Sequence, residues 1–316
     1  MKAAVIDVRG LVKDYGRTRA LAGLDLEVLP GEVYGFIGPN GAGKSTTIRV
    51  LMDLLRPDAG EVTVFGQAPQ EGGPALRSRI GYLPGELALT GRVTAGEHLH
   101  HLASLRGGRG RQRIGQLAER FRLDLGRPIR ALSRGNKQKV GVIQAVMHEP
   151  DLLVLDEPTS GLDPLLQHEF LELVRELRAR GATVLMSSHV LREVESVADR
   201  VAVIREGRTV DVDSVDGLRR RAGQRVMLRF AEVPELSSLA ALPGVERPRL
   251  EGTTFECQLH GEPDALLKAA ARHRVIGWVA RDRDLEELFM DVYRLGQATG
   301  IDAAPGTGAV EAPDAR

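Results

Sequence analysis

Gly38 to Ser45 reads G-P-N-G-A-G-K-S, the spacing of a loop that cradles phosphates. No other stretch constrains the fold as strongly, because such a loop works only between a strand and a helix. Both flanks are predicted here. Val33 to Ile37 is an apolar run of strand length, and from Lys44 onward Ile48, Leu51, Met52 and Leu55 recur on one helical face. The glycines let successive backbone N–H groups converge on phosphate oxygens. The helix start adds a field worth about 0.3–2 kcal/mol per negative charge.

The rest of the first two hundred residues fits around that unit. Leu24, Leu26 and Val28 alternate with Asp25 and Glu27, a half-exposed strand turned by Pro30 and Gly31. Further strands are expected at 61–65, 79–83, 152–156, 183–187 and 201–204. Helices alternate with several of them, which predicts an α/β fold with a mainly parallel sheet. Strand signal vanishes over 86–150, where Thr94 and Glu97 stand at capping-box spacing, so this stretch reads as a helical insertion. The basic, glycine-rich run at 106–113 reads as a solvated loop.

A second small α/β domain is expected over 216–296. Val226, Leu228 and Phe230 alternate, as do Phe255, Cys257 and Leu259, while Leu285, Leu288, Phe289 and Val292 form a helical stripe. The segment 297–316 is mostly Ala, Gly and Pro with few large apolar residues, a composition that predicts disorder. The expected division is therefore 1–215, 216–296 and a tail.

Composition sets outer limits. The 316 residues carry equal numbers of acidic and basic side chains, so bulk charge offers nothing to nucleic acid and no such partner is expected. One cysteine, Cys257, rules out an internal disulfide framework, fits a reducing compartment and reads as core filler. The opening residues lack a secretory pattern, and no run approaches the ~18 apolar residues of a membrane span. The expectation is a cytoplasmic chain whose membrane work, if any, belongs to another protein.

Two further constellations bear on phosphate chemistry. Leu152 to Leu155 form an apolar strand that delivers Asp156 and Glu157 to its carboxyl end, the edge where ligands bind in parallel sheets. Asp156 can join a magnesium shell there, and Glu157 can take a proton from an attacking water. His189 follows another apolar strand to the same edge, where it can sense the terminal phosphate. A second helix start, A-L-S-R-G-N-K-Q-K-V from Ala131 to Val140, also suits a phosphate. One triphosphate cannot occupy two distant helix starts of a single rigid chain.

In this order the pieces resemble an ABC-type ATP-binding subunit, and the likeness covers about residues 4 to 215. The run from Gly38 to Thr46 is similar to the family's Walker A motif, Leu152 to Glu157 to Walker B, Ser160 to Asp163 to the D-loop, and His189 to the switch histidine. Leu132 to Asn136 is similar to the signature usually written LSGGQ. The resemblance implies a P-loop NTPase core with a helical subdomain, ATP and Mg2+ as cofactors, and a head-to-tail homodimer closed by ATP. It implies nucleotide contacts from Gly38, Asn40, Gly41, Ala42, Gly43, Lys44, Ser45 and Thr46, with Lys44 on the β- and γ-phosphates. From the partner copy, Ser133 and the Gly135 backbone would face the γ-phosphate. Lys44, Glu157 and His189 are the implied catalytic groups, and Ser45 and Asp156 the implied metal ligands. Tyr15 falls where the family stacks an aromatic on adenine, though a tyrosine there could equally be core.

This sequence departs from the family in two places. Arg134 and Asn136 replace Gly and Gln in the signature, and Arg134 either adds a cation near the shared site or points to solvent. Gly85 then Glu86 stand where the family has Gln after Pro84; Glu86 could serve the metal through water or simply begin a helix. The variant signature with a C-terminal extension resembles the ATPase subunits of ABC-2-type exporters. That implies efflux of a drug, antibiotic or lipid-like cargo through a separate multi-span permease, with the chain peripheral at the inner membrane face. An ABC ATPase acting on a ribosome or DNA is the alternative.

Overall fold

The structure is a computed structural model that describes residues 3–282. The expected helical stripe at 285–292 and the tail 297–316 lie outside the described residues. The chain divides after Leu218 into two compact units.

In the first unit the elements run β1 (Ile6–Tyr15), β2 (Thr18–Val28), β3 (Val33–Ile37), α1 (Lys44–Leu51), β4 (Ala59–Val64), α2 (Pro69–Ser78) and β5 (Ile80–Leu83). They continue with α3 (Ala95–Leu105), α4 (Arg113–Arg120), α5 (Arg134–Val146), β6 (Leu152–Asp156), α6 (Pro164–Ala179), β7 (Thr183–Ser188), α7 (Leu191–Val197), β8 (Arg200–Arg205) and β9 (Arg208–Ser214). A short helix, α8 (Val215–Ala222), spans the division.

Two sheets share the core of this unit. One has the order β5-β6-β7-β3-β8-β9 and is parallel except for β9; the other is antiparallel, β2-β1-β4. The expected mainly parallel sheet is present, but the strand at 61–65 belongs to the second sheet. Its partner β1 breaks the alternation that marks a strand, because the register shifts between Val8 and Leu11 around Gly10 at φ 58°. Ile6, Leu24 and Leu26 from this sheet meet Phe36, Ile48 and Leu51 in one buried cluster. Helix α1 is shorter than the apolar stripe suggests: it stops at Leu51, and Leu55 packs on the same cluster from beyond its end.

The topology positions the chemistry. Strands β6, β7 and β3 are adjacent and parallel, so Asp156 pairs in register with Ser187 and Ile37 with Ser188. Three strand ends therefore open side by side on one carboxyl edge, where such sheets bind ligands.

The helical stretch begins with a closed capping box. Thr94 Oγ1 accepts the Glu97 N–H at 3.1 Å and Glu97 Oε2 accepts the Thr94 N–H at 2.7 Å. The basic run at 106–113 is only partly a solvated loop. Arg113 opens α4 and donates to the Val146 carbonyl at 3.1 Å, and a Cβ at Gly110 would sit 2.6 Å from the Met147 carbonyl oxygen.

The second unit holds β10 (Gln224–Phe230), α9 (Leu236–Ala240), β11 (Val245–Glu251), β12 (Thr254–Leu259), α10 (Asp264–Ala270) and β13 (Val275–Asp282). Its antiparallel sheet has the order β11-β12-β10-β13. Val226 lies opposite Cys257 and Leu228 opposite Phe255, and all four are buried with Leu239 and Leu266 from the helices. Burial pushes the Cys257 thiol up to about 11, so it stays a neutral packing group.

Candidate functional site

The phosphate loop leaves β3 at Gly38 and enters α1 at Lys44. A Cβ at Gly38 would lie 2.4 Å from the Ile204 carbonyl oxygen, so only glycine lets the loop start this close to β8. Gly43 occupies the N-cap of α1 at φ 110°, a region that L side chains avoid, and no side chain caps the helix. The donors at this start are thus left for a ligand. Ala42 is buried and its carbonyl accepts the Gly207 N–H at 3.0 Å, which ties the loop to the β8–β9 turn. Asn40 and Gly41 are exposed, while Ser45 and Thr46 are half-buried.

Lys44 is 6% exposed, and its Nζ donates to the Gly38 carbonyl at 2.6 Å and the Pro39 carbonyl at 3.2 Å. It also lies 3.6 Å from Glu157 Oε1. The cation is therefore held inside the loop by neutral oxygens, with one carboxylate near.

Asp156 closes β6 and is buried. Its Oδ1 accepts the Ser187 hydroxyl at 2.6 Å, across the β6–β7 pairing. Its Oδ2 is bordered by Gly85, where an added Cβ would stand 3.2 Å away. That is a cradle a larger residue at 85 would fill. An anionic oxygen there and the Ser45 hydroxyl are the hard donors that magnesium takes, so the residues present fit that ion. Glu86 is exposed and makes no hydrogen bond or ion pair among the described residues. Gly85, not Glu86, is the residue set against Asp156.

Glu157 adopts a left-handed φ of 51° and donates its N–H to the Ser187 carbonyl at 3.2 Å. The turn places its carboxylate between an ammonium and an imidazole. Oε1 faces Lys44, and Oε2 is 2.6 Å from Nδ1 of the exposed His189. Lys44, Glu157 and His189, distant in sequence, form one contiguous group.

The second helix start is built differently. Ser133 caps α5 with its own Oγ, which accepts the Asn136 N–H at 3.3 Å. A Cβ at Gly135 would lie 2.6 Å from the Gly161 carbonyl oxygen. Arg134, although exposed, is not left to solvent: its guanidinium donates to Ser160 Oγ at 3.1 Å. Gln138, buried one turn on, donates to the Pro158 carbonyl at 2.9 Å. The start of α5 and the 158–161 loop are thus locked together. Sequence reasoning misses Ser187 and Gln138. The signal for Ser187 is a hydroxyl paired across from Asp156 in parallel register; Gln138 carries none without the fold.

Tyr15 ends β1 opposite Thr18 and is 46% exposed, so it is not core. The neighbouring strand β2 reaches the phosphate loop, where the Ala20 carbonyl oxygen would stand 2.8 Å from a Cβ at Gly43.

Comparison with known proteins bears on the family and the fold. The family model described as ABC transporter matches residues 21–160. The chain is 39% identical to a daunorubicin resistance ATP-binding protein of Streptomyces coeruleorubidus, over 77% of this chain and 78% of that one. It is 33% identical to Nod factor export ATP-binding protein I of Paraburkholderia xenovorans, over 92% and 97% of the two chains. Among solved structures, an ATP-binding subunit of an ABC transporter superposes with a TM-score of 0.64 at 34% identity, covering 69% of this chain and 92% of that one.

Proposed function

The chain belongs to the ABC transporter family of ATP-hydrolysing subunits, and from that premise we propose that it powers efflux of a drug, antibiotic or lipid-like cargo through a separate permease of the ABC-2 type. The observation that carries the reading is the group at the carboxyl edge, where Glu157 lies between Lys44 and His189. The names of the relatives, a daunorubicin resistance protein and a Nod factor exporter, support the outward direction. Among the described residues no helix is long and apolar enough to cross a membrane. In this proposal the pathway lies in the multi-span permease, and the chain sits at the inner membrane face. Residues 1–215 are assigned to nucleotide work, 86–150 to the meeting with the permease, and 216–296 to an accessory role.

In this reading the backbone N–H groups from Gly38 to Thr46 bind the phosphates of ATP, with Asn40 at the loop's open side and Tyr15 stacked on the base. Lys44 leaves the Gly38 and Pro39 carbonyls for the β- and γ-phosphates. Ser45 and Asp156 would hold Mg2+, and the ion would neutralise phosphate charge when bound. The Glu157 carboxylate takes the proton of the attacking water, and His189 orients that carboxylate through the Nδ1 contact. Ser133 and the Gly135 backbone of a second copy face the γ-phosphate, so two copies enclose two shared sites head to tail.

The test is to express the full chain with any multi-span membrane protein encoded beside it, purify the pair from detergent and reconstitute it in vesicles. Co-purification and ATP-dependent cargo movement that stops with Glu157→Gln are expected. A chain that isolates without any membrane protein, or transport indifferent to Glu157→Gln, overturns the exporter reading.

A further inference from the structure

Outside the phosphate loop, one carboxylate joins the two segments that carry Glu157 and His189. Glu193 lies on α7, four residues beyond His189, and is half-buried. Its Oε2 accepts the Thr159 hydroxyl at 2.6 Å and lies 3.3 Å from the Ser188 hydroxyl, whose one proton it shares with the Val190 carbonyl at 3.2 Å. Thr159 is 5% exposed and follows Glu157 by two residues. Ser188 is buried, immediately precedes His189, and its oxygen also takes the Val190 N–H at 2.9 Å. A single oxygen atom therefore ties the loop after β6 to the loop after β7.

We propose that Glu193 is a positioning residue for ATP hydrolysis: its Oε2 locks the 157–160 loop against the 188–190 loop, and so holds Glu157 and His189 at their mutual distance. The proposal rests on Glu157 and His189 being the hydrolytic pair. The physical need is plain. Glu157 stands on a left-handed backbone turn, and the exposed His189 stands just past the end of β7, so both depend on the loops that carry them. A buried threonine hydroxyl without its acceptor would also pull the loop toward another partner, since buried polar groups need one. Displacements of about 1 Å at a reacting group can cost on the order of 10²-fold in rate.

Both hydroxyls face the same oxygen, and this fixes what substitution should tolerate. A glutamine presents a neutral carbonyl oxygen at that place and can accept both hydroxyl protons. An alanine presents nothing. The experiment compares Glu193→Ala, Glu193→Gln and the near-isosteric Thr159→Val in the purified full chain, with Glu157→Gln alongside. ATP turnover, binding of a fluorescent ATP analogue and the melting temperature are measured for each. Glu193→Ala is expected to lower kcat by about 10- to 100-fold while analogue affinity stays within about twofold. Glu193→Gln should recover at least half of wild-type kcat, and Thr159→Val should lose part of it.

Wild-type turnover in Glu193→Ala, or a Glu193→Gln as slow as the alanine variant, overturns the proposal. Equal losses in affinity and kcat also overturn it, because they mark a general structural defect. If Glu193→Ala does not fold, Thr159→Val and Glu193→Gln decide the matter alone. Normal hydrolysis by Glu157→Gln would instead sink the hydrolytic pair itself, a failure distinct from that of Glu193.

Discussion

Helix α1 begins behind Gly43, whose φ of 110° leaves its N-cap with no side chain, while α5 begins behind Ser133, whose hydroxyl already holds the Asn136 N–H. Every helix start leaves several backbone donors without intrahelical partners. At α1 no side chain competes for them, the surrounding residues Ala42 and Lys44 are buried, and the Lys44 ammonium stands within the loop. At α5 one donor is satisfied internally, Ser133 and Arg134 are exposed, and the arginine is bound to Ser160. The first start leaves its backbone donors open beside the Lys44 ammonium, as the proposed phosphate site requires. The second is stable without a ligand, and its exposed surface suits a group brought by another copy.

The largest effect expected from breaking this contrast is at α1. Lys44→Ala removes the cation of the loop, and ATP hydrolysis should fall by about 10²–10³-fold, the scale seen when one aimed donor is lost from a charged reaction site. Phosphate release by the purified variant checks this. Near-normal turnover would mean that the α1 start is no more specialised than the α5 start.

The far end of α5 sharpens the contrast, because this helix is anchored by packing. His148, 3% exposed and just past that end, lies with Nε2 3.2 Å from the Ile80 carbonyl oxygen. Burial first, and the Arg106 cation next, lower its pKa from 6.5 to about 4. A histidine with a lowered folded-state pKa binds fewer protons folded than unfolded across that window. Its stability contribution is therefore fully present above pH 6.5 and falls as pH drops toward 4, by about 1.4 kcal/mol per pH unit and on the order of 3 kcal/mol in total. Below pH 4 no further loss comes from this group. His148→Gln keeps a donor for Ile80 and does not titrate, so denaturant melts should show a flatter acid limb. An unchanged slope would remove His148 as the anchor.

The smallest effect is at the cap. Ser133→Ala deletes the acceptor of the Asn136 N–H, and the chain should lose about 1 kcal/mol by denaturant melt, the usual cost of an N-cap. No loss would show that α5, like α1, tolerates an open start, and the difference between the two would dissolve.

Much of this is legible without the fold. The buried strand Val33–Ile37 and the helix at Lys44 follow from apolar length and period, and the Thr94 and Glu97 box from spacing alone. The antiparallel sheet is not legible, because the register of β1 shifts around Gly10 and hides its alternation. The apolar stripe overstates the length of α1, since Leu55 serves the core while lying past the helix end.

The amino-acid sequence by itself determined which chemical groups arrive at each strand end, because strand period and loop spacing are local properties. Only the tertiary structure decided which of them meet. Parallel register beside β7 brings Ser187 to Asp156, the left-handed turn at Glu157 brings its two oxygens to Lys44 and His189, and the packing of α5 on the 158–161 loop gives Arg134 to Ser160. Gly85 rather than Glu86 borders Asp156 for the same reason. Contacts between residues far apart in the chain depend on sheet order and backbone direction, and neither is written in any short run of residues.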